Sequence, residues 1–417
     1  MKMIMKTLGC KANRYESDKI QDTFGNKHYI ADVNHYDESS ADLILVNTCT
    51  VTHIADRKSR QALKQLKKQH PHARTIVFGC GANVRKKDYL NLKYVDFVVQ
   101  KRKDLYKLIE TLANDYTKCN TSPVNEHRTR SLVKIQDGCN NFCTYCIIPY
   151  ARGREKSTPL KTIIKEIQEK TAQGYKEIVL TGINVGMWHD DNKDLAGLIQ
   201  TILDETSLPR LRLSSIEPHH YPDRFYRLFQ NNRFCPHIHI SLQSGSDTIL
   251  KTMNRNYNTK EFTSIINYLR QASSDIGITT DVIVGFPGET EALFHETVEY
   301  VQAMRFSKIH IFPYSKRAGT VAATMKNQVP HAIKKARCAT LASVEKQLRE
   351  KFYTTYLGTT HPVLIESINS KGMGSGYTPN YIKTTIKDNR GNLKPNTVVE
   401  VTLQSVHKRP LQAYGVL

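Results

Sequence analysis

The 417-residue chain reads as an α/β protein in three parts: an N-terminal doubly wound parallel sheet, a central partial (β/α)6 barrel and a small C-terminal antiparallel β-barrel. Three observations predict this. Short apolar runs alternate with charged, helix-spaced stretches through most of the chain, the pattern of strands covered by helices. Strand-then-helix units recur about six times within roughly 200 central residues, the density of a full or partial β/α barrel. The last stretch, 358–417, changes to β-rich runs separated by Gly and Asn turns, as in a small barrel.

The first region, 1–116, supplies candidate strands at Met3 to Thr7, Asp42 to Asn47, Thr75 to Gly79 and Val95 to Val99, with a helix-like run from Arg57 to His70 closed by Pro71. Residues 117–130 are polar, carry Asn, Thr, Ser, Pro and Arg, and read as a linker. The second region, 131–357, offers strands at Leu132 to Gln136, Glu177 to Gly182, Arg210 to Ile216, His237 to Gln243, Ile278 to Gly285 and Lys308 to Pro313. Helix-like runs stand between them, among them Leu160 to Gln173, Leu195 to Thr206 and Thr259 to Ser273. An open doubly wound sheet is the competing architecture here, and periodicity alone does not separate the two. In the third region the β-rich runs are Val363 to Ile368, Asn380 to Ile386 and Thr397 to Leu403.

Composition narrows the function classes. At 39% hydrophobic and 24% charged, the chain is neither disordered nor collagenous. No stretch approaches the roughly 18 apolar residues of a membrane span, and Met1 to Lys6 turns polar too soon for a secretory signal, so a cytoplasmic protein without a membrane partner is expected. Lys and Arg outnumber Asp and Glu by 60 to 39, an excess that suits a polyanionic partner. Residues 1–130 hold 24 basic and 14 acidic side chains and residues 358–417 hold 7 and 3, so both ends are richer in net positive charge than the middle. In a cytoplasmic setting the nine cysteines point to metal or redox chemistry rather than to disulfides.

Their spacing gives the sharpest local signal. Cys139, Cys143 and Cys146 form a C-x3-C-x2-C triplet directly after the first barrel strand. Three thiolates so close together suit a cubane of four irons that keeps one iron open for a cofactor. Structural zinc would want a fourth ligand at close spacing, and the sequence has none there. Cys10, Cys49 and Cys80 each fall just past a predicted parallel strand, and in an open α/β sheet those ends share one edge. From this placement alone, convergence on a second cluster and ordinary burial of three separate thiols both stand. Cys119, Cys235 and Cys338 fit no such pattern and are assigned to packing or surface, as Trp188, His219 and His220 are to ordinary structural roles.

With these motifs in place, the chain resembles the radical S-adenosylmethionine (SAM) methylthiotransferase family over nearly its whole length. The resemblance rests on Cys139 to Glu155 (CNNFCTYCIIPYARGRE), Thr181 to Asn184 (TGIN), Ser214 to Pro218 (SSIEP), Ser241 to Gly245 (SLQSG), Met253 to Arg255 (MNR) and Gly285 to Glu289 (GFPGE). It implies an N-terminal methylthiotransferase domain, a radical-SAM barrel and a C-terminal TRAM domain. It also implies two 4Fe-4S clusters, one on Cys139, Cys143 and Cys146 that cleaves SAM reductively, and an auxiliary one on Cys10, Cys49 and Cys80. One SAM then methylates sulfur at the auxiliary cluster, and another yields a 5′-deoxyadenosyl radical that activates an inert C–H bond for thiomethyl insertion. By the same resemblance Tyr145 lies against the SAM adenine, and Asn184, Glu217 and Gln243 contact its methionyl or ribose groups; the plain alternative for these polar side chains is a loop-ordering hydrogen bond at the barrel mouth.

Family members modify either a tRNA adenosine next to the anticodon or an aspartate of a ribosomal protein. Basic ends favour tRNA, and the last region interleaves Tyr377 and Tyr381 with Lys371, Lys383, Lys387 and Arg390, as an RNA-binding surface would. Ile240 to Gly245 and Phe312 to Arg317 look like the branch acting on N6-threonylcarbamoyladenosine. The branches acting on isopentenyladenosine or on the ribosomal-protein aspartate usually carry Pro at the position of Ser241. The expected partners are the anticodon stem-loop of tRNA, a reductant such as flavodoxin or ferredoxin, and a sulfur donor. An RNA-binding iron-sulfur redox sensor is the alternative of another class; it accounts for the cysteines and the charge but not for the barrel motifs.

Overall fold

The computed structural model describes residues 1–32, 41–114, 129–388, 391–408 and 411–416; Cys119, Arg390 and most of the expected linker 117–130 lie outside the described residues. The chain divides into two compact units. One gathers the described residues of Met1–Glu126 with Asp137–Glu155 and Ser315–Ala323; the other holds those of His127–Gln136, Lys156–Tyr314 and Thr324–Leu417. Two pieces of the central region, the cysteine loop and 315–323, are thus built into the N-terminal unit.

In the first unit the strands β1 (Lys2–Thr7), β2 (Tyr29–Asp32), β3 (Leu43–Thr48), β4 (Arg74–Gly79) and β5 (Phe97–Val98) form one parallel sheet in the order β2-β1-β3-β4-β5. The helices are α1 (Lys11–Phe24), α2 (His53–Gln69), α3 (Cys80–Val84), α4 (Lys86–Leu90), α5 (Arg102–Ala113) and α6 (Ile148–Arg152). Strand alternation sorts the side chains between two cores. Met3, Met5, Leu43 and Leu45 pack with Ile20 and Phe24 of α1 and Leu105 and Ile109 of α5. Ile4, Ile44 and Val46 pack with Leu63 and Leu66 of α2 and Tyr89 of α4. Each such side chain contributes about 1.5–3 kcal/mol by leaving water, and helices on both faces make the sheet doubly wound. Helix α2 starts earlier than its apolar period suggests because Thr52 caps it, accepting from Ala55 N at 3.1 Å.

The strand order reverses between β1 and β3, so the crevice where ligands gather in such sheets opens at their carboxyl ends. The segment 315–323 is fixed in this unit by a buried ion pair, Arg317 Nη2 to Asp56 Oδ2 at 2.6 Å, and by Ala322 N donating to Thr144 O at 2.8 Å.

The second unit holds the partial barrel. Six parallel strand positions follow one another in space as in sequence: β6 (Arg130–Lys134), Glu177–Thr181, Arg210–Leu213 continued by Ser215–Ile216, His237–Ile240, Gly277–Val284 and Lys308–Pro313. The expected strand Arg210 to Ile216 is interrupted at Ser214, whose N–H donates to Leu180 O at 2.9 Å. Among the described residues the first and last strands share no ladder, so the barrel is open on that side. Its core runs through Val133, Leu180, Leu213, Ile238, Ile278 and Ile309 and the covering helices.

The C-terminal strands Thr360–Ile368, Gly374–Tyr377, Lys383–Lys387, Val398–Lys408 and Leu411–Val416 close into a five-stranded barrel. It is not wholly antiparallel, since Lys383–Lys387 and Leu411–Val416 pair in parallel. Among the described residues no helix is long and apolar enough to cross a membrane.

Candidate functional site

Cys10, Cys49 and Cys80 stand where the sheet brings them to one edge. Cys10 follows β1 and precedes α1, Cys49 follows β3 directly, and Cys80 opens α3 directly after β4. Since β1, β3 and β4 are neighbours, three residues far apart in sequence meet at three adjacent strand ends. Gly9 permits the approach: its φ is +108°, and a Cβ there would stand 3.0 Å from Cys49 Cβ. Cys49 and Cys80 are buried while Cys10 is exposed, so the site has an open side.

Burial raises the Cys49 thiol, and pushes Cys80 up to about 12 even though the Arg152 guanidinium pulls the other way. Unmetallated, these two are neutral and unreactive. Asn13 lies among the thiols, its Oδ1 3.8 Å from Cys10 Sγ and 3.7 Å from Cys80 Sγ. Among the described residues no three Cys, His, Asp or Glu side chains close on a point as the ligands of a single ion do. A cubane spreads its thiolates over separate irons, and three cysteines on neighbouring strand ends fit that wider demand.

The second cysteine set lies in the same unit. Gly138, at φ +71°, starts the loop because a Cβ there would stand 2.0 Å from Arg154 O. Cys139 N donates to Gly153 O at 3.2 Å and Cys146 N to Cys143 O at 2.9 Å, which folds the loop back on itself. Phe142 adopts φ +47° between the first two cysteines, and the Arg154 guanidinium lies 4.4 Å from its ring centroid. Cys143 is buried, and Cys139, Cys146 and Tyr145 are half-buried. A loop that keeps three thiols within eight residues fits a cluster with one open iron.

The other expected cofactor contacts belong to the barrel unit. Asn184 follows the strand Glu177–Thr181, is 2% exposed, and has neither side-chain amide atom partnered. Gln136 Oε1 fixes its backbone, accepting from Asn184 N at 2.8 Å and Ile183 N at 3.1 Å. A buried amide with donor and acceptor both unspent fits a ligand that carries charged groups of both signs, as the methionyl end of SAM does. Ser214 Oγ is unpartnered in the same way. Glu217 instead pairs with Arg255, whose Nε donates to Tyr257 OH at 3.1 Å, so its carboxylate is already engaged. Gln243 holds φ +67°, with its N–H on Asp281 O at 2.8 Å, a strained position at a strand end.

The basic and aromatic residues of the C-terminal barrel separate into two groups. Lys371 and Lys387 are exposed and Lys383 is half-buried. Tyr377 and Tyr381 are half-buried, and their rings already have partners within the chain. They stack on each other with centroids 4.6 Å apart, and His237 stacks on Tyr381 at 4.5 Å. Arg130 lies over both rings and Arg212 over Tyr381.

Beneath this stack Glu177, 1% exposed, pairs with Arg212 at 2.7 Å and Arg210 at 2.9 Å. Burial by itself would raise its carboxyl, but the guanidiniums of Arg212 and Arg210 overcome that and pull it down to about 2. Arg130, Glu177, Arg210 and His237 are the first residues of their barrel strands, the end that carries stability in such folds. Cys235 and Trp188 are buried in the same unit, Trp188 donating from Nε1 to Thr158 O at 2.9 Å, and Cys338 is half-buried on the helix His331–Thr355. The His219 ring lies against Tyr221 at a tilt, centroids 3.9 Å apart.

Sequence reasoning missed Arg152 and Asn13. Arg152, on α6, donates from Nε to Cys80 Sγ at 3.2 Å and from Nη2 to Asn13 Oδ1. Both stand inside motifs that the cysteines mark, but nothing in their spacing says that they meet.

Comparison with known proteins agrees with this architecture. The radical SAM superfamily matches residues 133–301, the uncharacterized protein family UPF0004 residues 2–100, and the TRAM domain residues 354–414. The protein named Threonylcarbamoyladenosine tRNA methylthiotransferase MtaB from Bacillus subtilis is 37% identical over 91% of this chain and 89% of its own length. The tRNA-2-methylthio-N(6)-dimethylallyladenosine synthase of Thermodesulfovibrio yellowstonii is 32% identical over 98% of this chain and 97% of its own. In fold, the radical SAM methyltransferase TsrM from Kitasatospora setae, solved with cobalamin and a [4Fe-4S] cluster, superposes with a TM-score of 0.57 at 13% identity, covering 78% of this chain and 77% of that one. The chain belongs to the radical SAM methylthiotransferases, transferases whose chemistry runs on a 4Fe-4S cluster and SAM.

Proposed function

We propose that this enzyme inserts a methylthio group at C2 of N6-threonylcarbamoyladenosine next to the anticodon of tRNA. The observation that carries the reading is the meeting of Cys10, Cys49 and Cys80 at adjacent strand ends, in the same compact unit as the Cys139, Cys143 and Cys146 loop. A SAM cleavage reaction needs only the loop. A second set of three thiols suits a sulfur-carrying auxiliary cluster, which a methylthio transfer requires and a plain methyl transfer does not. The relative from Bacillus subtilis supports the choice of nucleoside through its name.

In this reading Cys139, Cys143 and Cys146 hold the SAM-cleaving cluster and Cys10, Cys49 and Cys80 the auxiliary one. When bound, the clusters and SAM supply one-electron chemistry at an unactivated C–H bond and a methylated sulfur to place there. The protein positions and shields them. Asn184, with its free amide, orients the methionyl end of SAM, Gln243 borders the same strand ends, and Tyr145 flanks the adenine. Glu217 acts through Arg255, ordering the barrel mouth. Lys371, Lys383 and Lys387 meet phosphates of the anticodon stem-loop, while Tyr377 and Tyr381 hold the C-terminal barrel in place. Flavodoxin or ferredoxin is the reductant class such a reaction needs, and a separate donor renews the sulfur.

The deciding experiment is mass spectrometry of nucleosides from tRNA of cells lacking the protein and of the same cells complemented. The methylthio form of threonylcarbamoyladenosine disappears in the first, where its unthiolated precursor accumulates, and returns in the second. Loss of the methylthio form of isopentenyladenosine would move the substrate to that nucleoside, and unchanged tRNA would turn attention to ribosomal-protein aspartate or to redox sensing.

A further inference from the structure

A cluster on Cys10, Cys49 and Cys80 brings three thiolates into a partly buried place, where negative charge needs an internal partner. Among the described residues, Arg152 is a cation that touches this site. Its side chain is 6% exposed, with Nη1 on Glu16 Oε1 at 2.8 Å and on Asp137 Oδ1 at 2.9 Å. Those two carboxylates fix the plane of the guanidinium, and in that plane Nε reaches Cys80 Sγ at 3.2 Å while Nη2 reaches Asn13 Oδ1. Asn13 is 1% exposed and does not swing freely, since its Nδ2 donates to Leu8 O at 2.9 Å and Thr48 O at 3.1 Å. One guanidinium therefore bonds a cysteine sulfur directly and also Asn13, the group standing between Cys10 and Cys80.

Arg152 also closes α6, the short helix that follows Cys146. The same side chain that touches Cys80 is thus anchored on the segment that carries the other three cysteines, and Asp137 belongs to that segment too. Asn83 Nδ2, just after Cys80, donates to Ala151 O at 2.7 Å and reinforces the join.

We infer that Arg152, oriented by Glu16 and Asp137 and coupled to Asn13, is a positioning residue for the auxiliary cluster: it donates a charge-assisted hydrogen bond to the Cys80 sulfur and ties that ligand to the SAM-cluster loop. The inference rests on the reading that Cys10, Cys49 and Cys80 hold a second cluster. A donor on a ligand sulfur and a positive charge beside it both favour the reduced, more negative state of a cluster, so Arg152 raises its reduction potential. The fork matters as much as the charge, because one N–H serves sulfur while the others hold the geometry.

The test uses the full-length chain with Cys139, Cys143 and Cys146 each changed to Ala, reconstituted with ferrous iron and sulfide so that only the N-terminal cysteines are available. Iron and sulfide per chain, the rate of iron loss to a chelator, and the midpoint potential from titration followed by electron paramagnetic resonance are compared with and without Arg152→Gln. The expected result is a more negative midpoint and iron loss about tenfold faster. Arg152→Lys keeps the charge without the fork, and recovers part of the potential but not the retention. Should Arg152→Gln fold poorly, the intermediate potential of Arg152→Lys still decides. Equal potentials and equal iron loss in parent and variants would overturn the inference. A parent that binds no iron overturns the second-cluster reading itself, an outcome seen before any Arg152 variant is compared.

Discussion

Two buried arginine networks in this enzyme look alike in composition and differ in what they leave unfinished. Under the C-terminal barrel, Arg130, Arg210 and Arg212 surround Glu177 and lie against Tyr377 and Tyr381. The carboxylate takes Arg210 and Arg212 at close range, and the rings take the flat faces of Arg130 and Arg212. At the cysteine edge, Arg152 also has its carboxylates, Glu16 and Asp137, yet one N–H points to a thiol. The first network ends within the protein. The second ends on an atom whose ordinary chemistry is to bind metal. A buried guanidinium is therefore read by its last partner rather than by its burial.

The comparison breaks most sharply at the cysteines. Cys143→Ala should lower SAM cleavage to 5′-deoxyadenosine below detection, whereas Cys80→Ala should leave cleavage running and abolish only the methylthio product. Chromatography of both products checks this, and equal loss of cleavage in the two variants would merge the sites that the proposal keeps apart.

The next largest effect belongs to the other network. Glu177→Ala leaves buried guanidiniums without their counter-charge and should cost about 3–5 kcal/mol of stability, read by denaturant unfolding, with iron content unchanged. The same carboxyl sets a pH dependence. Its folded value lies near 2, below the ordinary 4.5, so its contribution is fully present above that ordinary value and is lost as pH falls towards 2. Proteolytic release of the C-terminal barrel should rise over that window in the parent, and lose that pH dependence in Glu177→Ala.

Smaller still, Tyr381→Leu removes the stack with Tyr377 and His237 and the two guanidinium contacts, for about 1–2 kcal/mol. Its tRNA affinity should follow stability rather than show a base preference. Lys387→Glu is the reverse case, with stability unchanged and the salt dependence of tRNA binding reduced by about one unit of slope or more. An unchanged slope would take Lys387 off the RNA surface.

Much of the fold was legible because strands buried on both sides announce themselves as unbroken apolar runs, and Leu43–Thr48, buried throughout, lies one residue from its expected bounds. What escaped had weak hydrophobic signal. Strand β2 is only Tyr29–Asp32, and Gly374–Tyr377 reads as a turn because two of its four residues are glycines. The cysteine positions were legible because each follows a strand, and parallel strands share an edge. Arg152, Asn13 and the engagement of Tyr377 and Tyr381 were not, since each depends on which distant segment arrives beside it. Arg210 and Arg212 within a strand suggest a solvent face, and only the docked barrel turns that face into an interior.

The N-terminal unit is assembled from three stretches of chain, the last of them Ser315–Ala323, which bonds Thr144 in the cysteine loop and Asp56 in α2. During synthesis the loop thus lacks one of its supports until the ribosome has made nearly the whole barrel. Closing so long a loop is slow relative to local helix formation. The cysteine loop therefore gains its last neighbours late in biogenesis, timed by the return of a nine-residue segment.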